Sequence, residues 1–323
     1  MLKVQFINVA DGDAILVEEL DGGAPFRLLV DTGRACLEPR IGSLRLTAAE
    51  FLRERKISYI DVLIVTHLHL DHFSGLETLL PGITFGAVYS GFFPSVPERR
   101  ILPEPEAEKT VRGMIACVNQ WAWAVQKLEA EACLLHTVSA TIPGLRMTER
   151  LTADVICPNE TVNAVQRLVW EAMLSGRQVP DDLKYWASKS RNPGSLRVRL
   201  SYGGRSLELP GDCYGWIWDG TELEPCDILK VPHHGDRKAL TQALVQRLRP
   251  SHAVISCGAD YIPHKDRPSL EMITLLRQQG TRVWFTDSFA SEWNEPNHWR
   301  CVEFVIYEDG TIIAPDGRGC GRR

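Results

Sequence analysis

The sequence predicts an α/β protein in which two mixed β-sheets pack face to face with helices outside, an αββα sandwich. Short β-branched runs alternate with helical patterns along most of the 323 residues. The order of elements in residues 1–90 recurs in residues 196–256: a hairpin, an acidic turn, a buried strand and a histidine turn. We therefore expect one domain over residues 1–323, built from two duplicated halves that residues 92–191 separate.

The first half begins with three predicted strands, at 4–9, 14–19 and 26–30, and the third ends on Asp31. Asp11 and Asp13 lie in the loop between the first two strands, where we expect Asp13 to hold the loop by hydrogen bonds. Thr47 and Glu50 form a capping-box pattern that predicts a helix to about residue 56. A buried strand over 61–65 follows, because its apolar residues are continuous.

The second half has the same elements in the same order. A hairpin over 196–201 and 206–209 ends on Asp212, as the first hairpin ends on Asp31. The strand over 227–231 then leads to His233 and His234, as the strand over 61–65 leads to His67. Chance similarity between apolar strands is the weaker interpretation, since four elements agree in order. Both sets of turns should therefore emerge at one edge of the sandwich.

The insertion over 92–191 is predicted to be helical, with helices at 106–131, 161–174 and 181–189. Three roles remain open for it: a lid, a surface for homodimer formation, or a substrate platform. Its tryptophans are of a type that stacks on nucleic-acid bases. Aromatic residues on helices more often pack in a core or an interface, and we favour that interpretation.

Composition excludes several classes of protein. The formal net charge of −5 and the absence of a long basic run argue against a general duplex-DNA-binding module, although not against an enzyme. No stretch approaches the roughly 18 apolar residues that span a bilayer, and no secretory signal precedes the first strand. The nine cysteines are scattered without zinc-finger spacing. We therefore expect reduced thiols, a cytoplasmic location and no membrane contact.

The loop over 66–75 predicts a metal site. His67, His69, Asp71 and His72 lie within six positions, directly after the buried strand over 61–65. In extended backbone, residues two apart point the same way, so the first two histidines can converge on one ion. Imidazole and carboxylate ligands suit zinc, or manganese where carboxylates dominate. Solvated loop histidines are the alternative, and four ligand-type residues in one short loop make it the weaker one. Ser74 and Glu77 form a capping-box pattern for a short helix to residue 80.

The spacing of His67, His69, Asp71 and His72 resembles the signature of metallo-β-lactamase-fold hydrolases. The similarity extends to segments 8–14, 192–196, 209–212, 229–235 and 261–264, and to Thr286 and Asp287. Together these segments are most similar to the hydrolase domain of bacterial DNA-uptake channel proteins and its free-standing relatives, including phosphorylcholine esterases. These motifs are specific for the fold and the branch, and weak for the substrate.

The resemblance implies two divalent metal ions, Zn²⁺ or Mn²⁺. It assigns His67 and His69 to the first ion, Asp71 and His72 to the second, and Asp212 to a bridging position. One of His233 and His234 completes the set of ligands of the second ion. We favour His234 as that ligand and His233 as a catalytic neighbour that steadies the substrate. Asp31 is expected to accept a hydrogen bond from a ligand imidazole.

One departure from the family concerns the first ion. Most relatives place a further histidine before the bridging aspartate, whereas this chain has Asn192 and Ser195 in that region. We expect these two residues to contact the metal, its water or the substrate, and the first ion to be more loosely held. His136 is a weak candidate for the missing ligand.

His264 follows the last core strand and resembles a histidine of this branch. Two interpretations remain open for it: a catalytic hydrogen-bond donor to a substrate phosphate, or a residue of a surface loop.

The implied activity is that of a metal-dependent hydrolase, most consistent with a phosphodiesterase or nuclease. A hydroxide bridging the two ions would attack the substrate, and Asp71 would orient it. The expected substrate is a small phosphodiester or single-stranded nucleic acid. Two alternatives remain: a hydrolase of another ester-type substrate (lactone, thioester or β-lactam), and a non-catalytic metal-stabilised interaction module.

Overall fold

The computed structural model describes residues 1–21, 23–104, 106–218, 223–258, 267–288 and 297–315. Its strands are β1 (Leu2–Ile7), β2 (Ile15–Glu19), β3 (Phe26–Val30), β4 (Tyr59–Val65), β5 (Thr84–Ser90), β6 (Leu134–Thr137), β7 (Ile142–Arg146), β8 (Thr152–Ile156), β9 (Arg197–Tyr202), β10 (Arg205–Leu209), β11 (Ile228–Lys230), β12 (His252–Ile255), β13 (Arg282–Phe285), β14 (Asp287–Ser288), β15 (Asn297–His298), β16 (Cys301–Ile306) and β17 (Ile312–Ile313).

The helices are α1 (Ala48–Glu54), α2 (Leu70–Phe73), α3 (Leu76–Leu79), α4 (Lys109–Ala130), α5 (Glu160–Leu174), α6 (Asp181–Lys189), α7 (Gly215–Trp218), α8 (Gln242–Leu248) and α9 (Leu270–Gln278). A 3₁₀ turn covers Pro232–Gly235. None of the described helices is both long and apolar enough to cross a membrane.

Two mixed sheets form the centre of the molecule, which confirms the predicted fold class. The first sheet has the order β17-β16-β1-β2-β3-β4-β5-β6, and the second has the order β13-β12-β11-β10-β9-β8-β7. In the first half β2 and β3 are antiparallel, and β3, β4 and β5 are parallel. In the second half β9 and β10 are antiparallel, and β10, β11 and β12 are parallel. Both halves therefore repeat the same pairing, as the sequence predicts.

Alternation along the strands produces three apolar layers. In β3, Leu28 and Val30 face the second sheet and pack with residues such as Val198 and Leu200. Leu29 faces the other way, into a layer with α1 and α4. A third layer joins the second sheet to α8 and α9. This pattern follows from the two-residue period of a strand, because each central strand is buried on both faces.

Residues 92–191 differ from the predicted helical insertion. The three helices are present as α4, α5 and α6, but β6 extends the first sheet and β7 and β8 extend the second. The sequence predicts no helix over residues 134–156, and these residues form strands within the insertion. Much of β6 and β7 is exposed to solvent, so the apolar alternation that marks a half-buried strand is weak there.

The two capping-box predictions have different outcomes. At α1, Thr47 Oγ1 accepts a hydrogen bond from the backbone of Glu50, and the Glu50 carboxylate accepts one from the backbone of Thr47, so this box is confirmed. At α3 the predicted box is wrong, because the N-cap residue is Gly75 and no side chain caps the helix. Ser74 Oγ donates instead to the carbonyl of Leu70 in the preceding turn.

Gly75 is the point at which the histidine loop meets the end of β3. Its backbone N–H donates to the carbonyl oxygen of Gly33 at 2.9 Å. A Cβ atom at this position would overlap the carbonyl oxygen of Thr32, whereas a Cβ at Gly82 would meet no heavy atom within 4 Å. Glycine is therefore required at position 75 by close approach of two backbones.

We expect Gly75→Ala to lower the free energy of unfolding by about 1–3 kcal/mol or more, the usual cost of overpacking. Gly82→Ala is the matched control and should change that free energy by no more than about 0.5 kcal/mol. Urea unfolding followed by circular dichroism measures both. Equal stability of the two variants would show that the contact between residues 32 and 75 is not tight in solution.

Candidate metal centre

The histidine loop is fixed to the end of β3 by one carboxylate. Asp31 accepts hydrogen bonds at 2.8 Å from the backbone N–H and from Oγ1 of Thr66. The same carboxylate lies 2.8 Å from Nδ1 of His72, which therefore donates its N–H to Asp31. Because β3 and β4 are parallel neighbours, their carboxyl ends lie side by side and Asp31 reaches both ends of the loop.

A first group of ligand-type atoms comes from His67, His69 and Asp212. His67 Nε2 lies 2.8 Å from His69 Nδ1 and 3.8 Å from Asp212 Oδ2. One atom from each residue falls within 4.8 Å of the others.

A second group comes from Asp71, His72 and His234. His234 Nε2 lies 3.7 Å from Asp71 Oδ2 and 3.7 Å from Asp212 Oδ1. Asp212 Oδ1 is also 3.3 Å from His72 Nε2. The two oxygens of Asp212 therefore face different groups, which is the arrangement a bridging carboxylate needs.

Unpartnered atoms test whether metal ions fit here. His72 Nε2, His234 Nε2 and Asp212 Oδ1 are buried and have no hydrogen-bond partner. The other ring nitrogens are engaged, since His72 Nδ1 contacts Asp31 and His234 Nδ1 lies 3.0 Å from the carbonyl of Ser256. Buried polar atoms without partners are costly, and a cation between them removes that cost. The second group and Asp212 therefore fit a divalent ion. In the first group, His67 Nε2 and His69 Nδ1 lie 2.8 Å apart and contact each other, so an ion held there would replace that contact.

The turn that carries His233 and His234 is strained. Both residues have left-handed backbone conformations, with φ of 47° and 55°. Left-handed conformations of non-glycine residues cost of order 1–3 kcal/mol each and cluster at functional sites. This turn aims both rings at Asp212: His233 Nε2 lies 3.8 Å from Asp212 Oδ2, and His234 Nε2 faces the other oxygen.

The pKa values of the histidines differ between the two groups. Burial lowers the pKa of His67 well below its usual value and that of His69 to about 3, so both rings are neutral and able to bind a cation. Burial also lowers the pKa of His72, but Asp212 and Asp31 outweigh it and hold that pKa well above the usual value. Likewise, burial raises the pKa of Asp212, but His72 and His234 hold it well below its usual range.

Part of the chain matches a known protein family. Residues 8–90, which contain the histidine loop, match the model of the metallo-beta-lactamase superfamily. The chain is a metallo-β-lactamase-fold protein. It is homologous to ComE operon protein 3 of Bacillus subtilis, with 25% identity over 309 residues that cover 88% of this chain and 32% of that protein. The chain thus spans about a third of its relative's length.

Three solved structures are among those to which the chain is similar. YhfI from Bacillus subtilis is 11% identical, with 88% of this chain and 96% of that chain covered and a TM-score of 0.42. Zn²⁺-bound PqqB from Methylobacterium extorquens is 14% identical, with coverages of 88% and 97% and a TM-score of 0.42. The short form of human tRNase Z is 15% identical, with coverages of 91% and 98% and a TM-score of 0.39.

The remaining predicted residues of this metallo-β-lactamase-fold protein have different positions. Ser195 Oγ accepts a hydrogen bond from the backbone N–H of Asp212 at 3.2 Å and lies 3.4 Å from His67 Nδ1. Asn192 is 8% exposed, and its Oδ1 has no hydrogen-bond partner.

His136 lies on β6 and stacks on Tyr89, with ring centroids 4.6 Å apart, so no contact supports it as a ligand. His264 lies outside the described residues.

Two cations at the centre were not identified from the sequence. The Nη2 atom of Arg34 lies 3.7 Å from Asp71 Oδ2, and its side chain is 45% exposed. Lys230 is fully buried, and its ammonium forms an ion pair with Asp13. A charged residue within an otherwise apolar strand is a signal for Lys230. Nothing in the sequence singles out Arg34, because the contact depends on how two loops meet.

The state of His72 gives a prediction for metal binding. Its raised pKa keeps the ring protonated at neutral pH without metal, and a cation can bind Nε2 only after that proton leaves. The apparent affinity for Zn²⁺ should therefore rise as pH increases toward that pKa. Titration calorimetry in buffers of different ionisation enthalpy should show release of about one or two protons. A heat of binding independent of the buffer would contradict this assignment.

Proposed function

We propose that this protein is a hydrolase that uses two divalent metal ions, Zn²⁺ or Mn²⁺, to cleave phosphodiester bonds. The observation that carries the proposal is the position of Asp212, whose two oxygens face two separate groups of ligand-type atoms. A carboxylate shared in this way could hold one ion on each side, as two-metal hydrolases require. We assign His67 and His69 to one ion, and Asp71, His72 and His234 to the other.

When bound, such ions activate a water molecule near neutral pH and stabilise negative charge on the substrate. The residues of this chain supply orientation. Asp71, which lies at the exposed side of the centre, can accept a hydrogen bond from the attacking water. His233 Nε2 lies 3.8 Å from Asp212 Oδ2, the oxygen that faces the first group, where it can donate to an oxygen of the substrate. Burial of the centre restricts competing water, which strengthens these electrostatic contacts.

Arg34 is the reason to favour an anionic substrate. Its side chain is 45% exposed and lies next to Asp71, a proposed metal ligand whose own side chain is 21% exposed. A guanidinium in this position can form paired hydrogen bonds to phosphate oxygens. The resemblance to the hydrolase domain of DNA-uptake channel proteins favours the same class. We therefore propose nucleotides, single-stranded nucleic acid or small phosphodiesters as substrates.

Two further parts of the proposal concern the setting of the enzyme. The eight cysteines that the structure describes are free thiols, which suits a reducing, cytoplasmic compartment. Exposed Leu168, Leu183 and Tyr185 lie on α5 and α6 of the insertion. We propose this surface for homodimer formation, since it carries apolar side chains that a partner copy can cover.

The proposal is tested by metal reconstitution. Metal-stripped protein should gain bis-p-nitrophenyl phosphate hydrolysis when Zn²⁺ or Mn²⁺ is added, and His69→Ala and Asp212→Ala should each lose at least about 100-fold of that activity. His136→Ala is the matched control and should retain it. Two bound ions without phosphodiester hydrolysis would instead favour a lactone or thioester substrate. Absence of both metal binding and hydrolysis would favour a non-catalytic interaction module.

Arg34 provides a separate test of the substrate class. We expect Arg34→Ala to lower kcat/KM for bis-p-nitrophenyl phosphate by about 10- to 100-fold, since one charge-assisted hydrogen bond contributes about 1.5–3 kcal/mol. Hydrolysis of neutral p-nitrophenyl acetate should change by less than about threefold, because no anion is bound. Arg34→Lys should restore part of the loss. Arg53→Ala, an exposed residue of α1, is the control. Equal losses on both substrates would refute the assignment.

A further inference from the structure

A fully buried ammonium group lies directly behind the metal centre. Lys230 is on β11, with no part of its side chain exposed. Its Nζ atom donates to the carbonyl oxygen of Gly211 at 3.1 Å and forms an ion pair with Asp13. The same atom lies 3.9 Å from Asp212 Oδ1, the oxygen that faces the second group. A buried lysine is expensive unless it is paired, so this contact indicates a specific role.

Asp13 comes from the first half of the chain. It lies in the loop between β1 and β2, and its backbone N–H donates to the carbonyl of Asp71, while its own carbonyl accepts from Gly33. Its carboxylate is 1% exposed and lies 3.7 Å from His72 Nδ1. The pair therefore joins the opening loop of the first half to β11 of the second half, across the floor of the centre.

The surroundings of the ammonium are those of a cation site. Asp13, His72 and Asp212 place one ligand-type atom each within 4.8 Å of one another, as the two proposed metal groups do. Lys230 Nζ contacts two of these three residues. The ammonium thus supplies a positive charge beside both carboxylates of this third group.

We propose that Asp13 and Lys230 form a fixed-charge pair that sets the affinity of the centre for metal ions. Both are positioning residues, because they act on Asp212 and His72 rather than on the substrate. The inference rests on the proposed metal centre. A charge this close to the bound ions acts through a poorly screened medium, so removing one member of the pair must change metal affinity.

The signs of the two changes are opposite. Asp13→Asn leaves the ammonium unpaired and adds one positive charge, so it should weaken metal binding by about tenfold or more. Lys230→Met keeps the unbranched stem but leaves Asp13 unpaired, so it should tighten metal binding by a similar factor. The double variant restores neutrality and should bind metal within about threefold of the parent protein. A purely structural role predicts weaker binding in all three.

The experiment is competition for Zn²⁺ with a chromophoric chelator, using the metal-stripped 323-residue protein and the three variants. Thermal unfolding without metal is the second readout, where each single variant should be less stable and the double variant should lose less than the sum. Glu208→Gln is the matched control, because Glu208 is fully buried and pairs with Arg197 at 2.7 Å. It should lower thermal stability and leave metal affinity unchanged.

Opposite shifts in the single variants, with recovery in the double variant, would support the inference. Weaker binding in Asp13→Asn and in the double variant alike would overturn it, even if Lys230→Met does not fold. Because metal binding is the readout, a protein that binds ions but cleaves no phosphodiester would refute the proposed function and leave this inference standing.

Discussion

The carboxylate of Asp31 is the contact on which the candidate metal centre depends. It is fully buried and accepts from the backbone and the hydroxyl of Thr66 and from the ring of His72. Burial raises the pKa of Asp31, while the charge and the hydrogen bond of His72 lower it by a smaller amount. Removing this carboxylate from water therefore costs free energy that its hydrogen bonds only partly offset. Three buried donors would lose their acceptor without it. Because it fixes Nδ1 of His72, it also determines that Nε2 faces the centre.

Asp212 occupies the corresponding place in the second half and has the opposite role. Both residues follow the second strand of a hairpin, and both strands have a parallel neighbour that ends in a histidine turn. Asp31 uses its oxygens to hold the loop from behind. Asp212 is held through its backbone N–H by Ser195, which leaves its oxygens directed at the histidines. The duplication therefore supplies equivalent positions, and the neighbouring contacts decide which carboxylate holds a loop and which faces the centre.

The features that the sequence predicts well are those formed by neighbouring residues or repeated along the chain. The histidine loop is visible because four ligand-type residues are adjacent, and the two sheets are visible because one order of elements occurs twice. The edge strands β6 and β7 were missed because exposed edge strands have little apolar alternation. Ser74 was misassigned because its hydroxyl has an alternative acceptor one turn earlier. The pair of Asp13 and Lys230 lies beyond sequence reasoning, since Asp13 is in a loop of the first half, Lys230 is on a strand of the second half, and they meet only when the halves pack.

The distribution of charge changes what the net charge of −5 means for the substrate. Asp13, Asp31 and Asp212 are buried at the centre, so part of the negative charge faces inward rather than toward an approaching ligand. Two bound divalent ions would bring the formal net charge to about −1, and Arg34 then remains as a half-exposed cation at the mouth. Repulsion by the chain as a whole is therefore a weak argument against a polyanionic substrate. The electrostatic potential at the centre depends mainly on charged groups within a Debye length of about 8–10 Å. These groups include Arg34 and would include the ions themselves. If the proposed phosphodiester substrate is correct, the length that the centre accepts is therefore not set by the net charge of the chain.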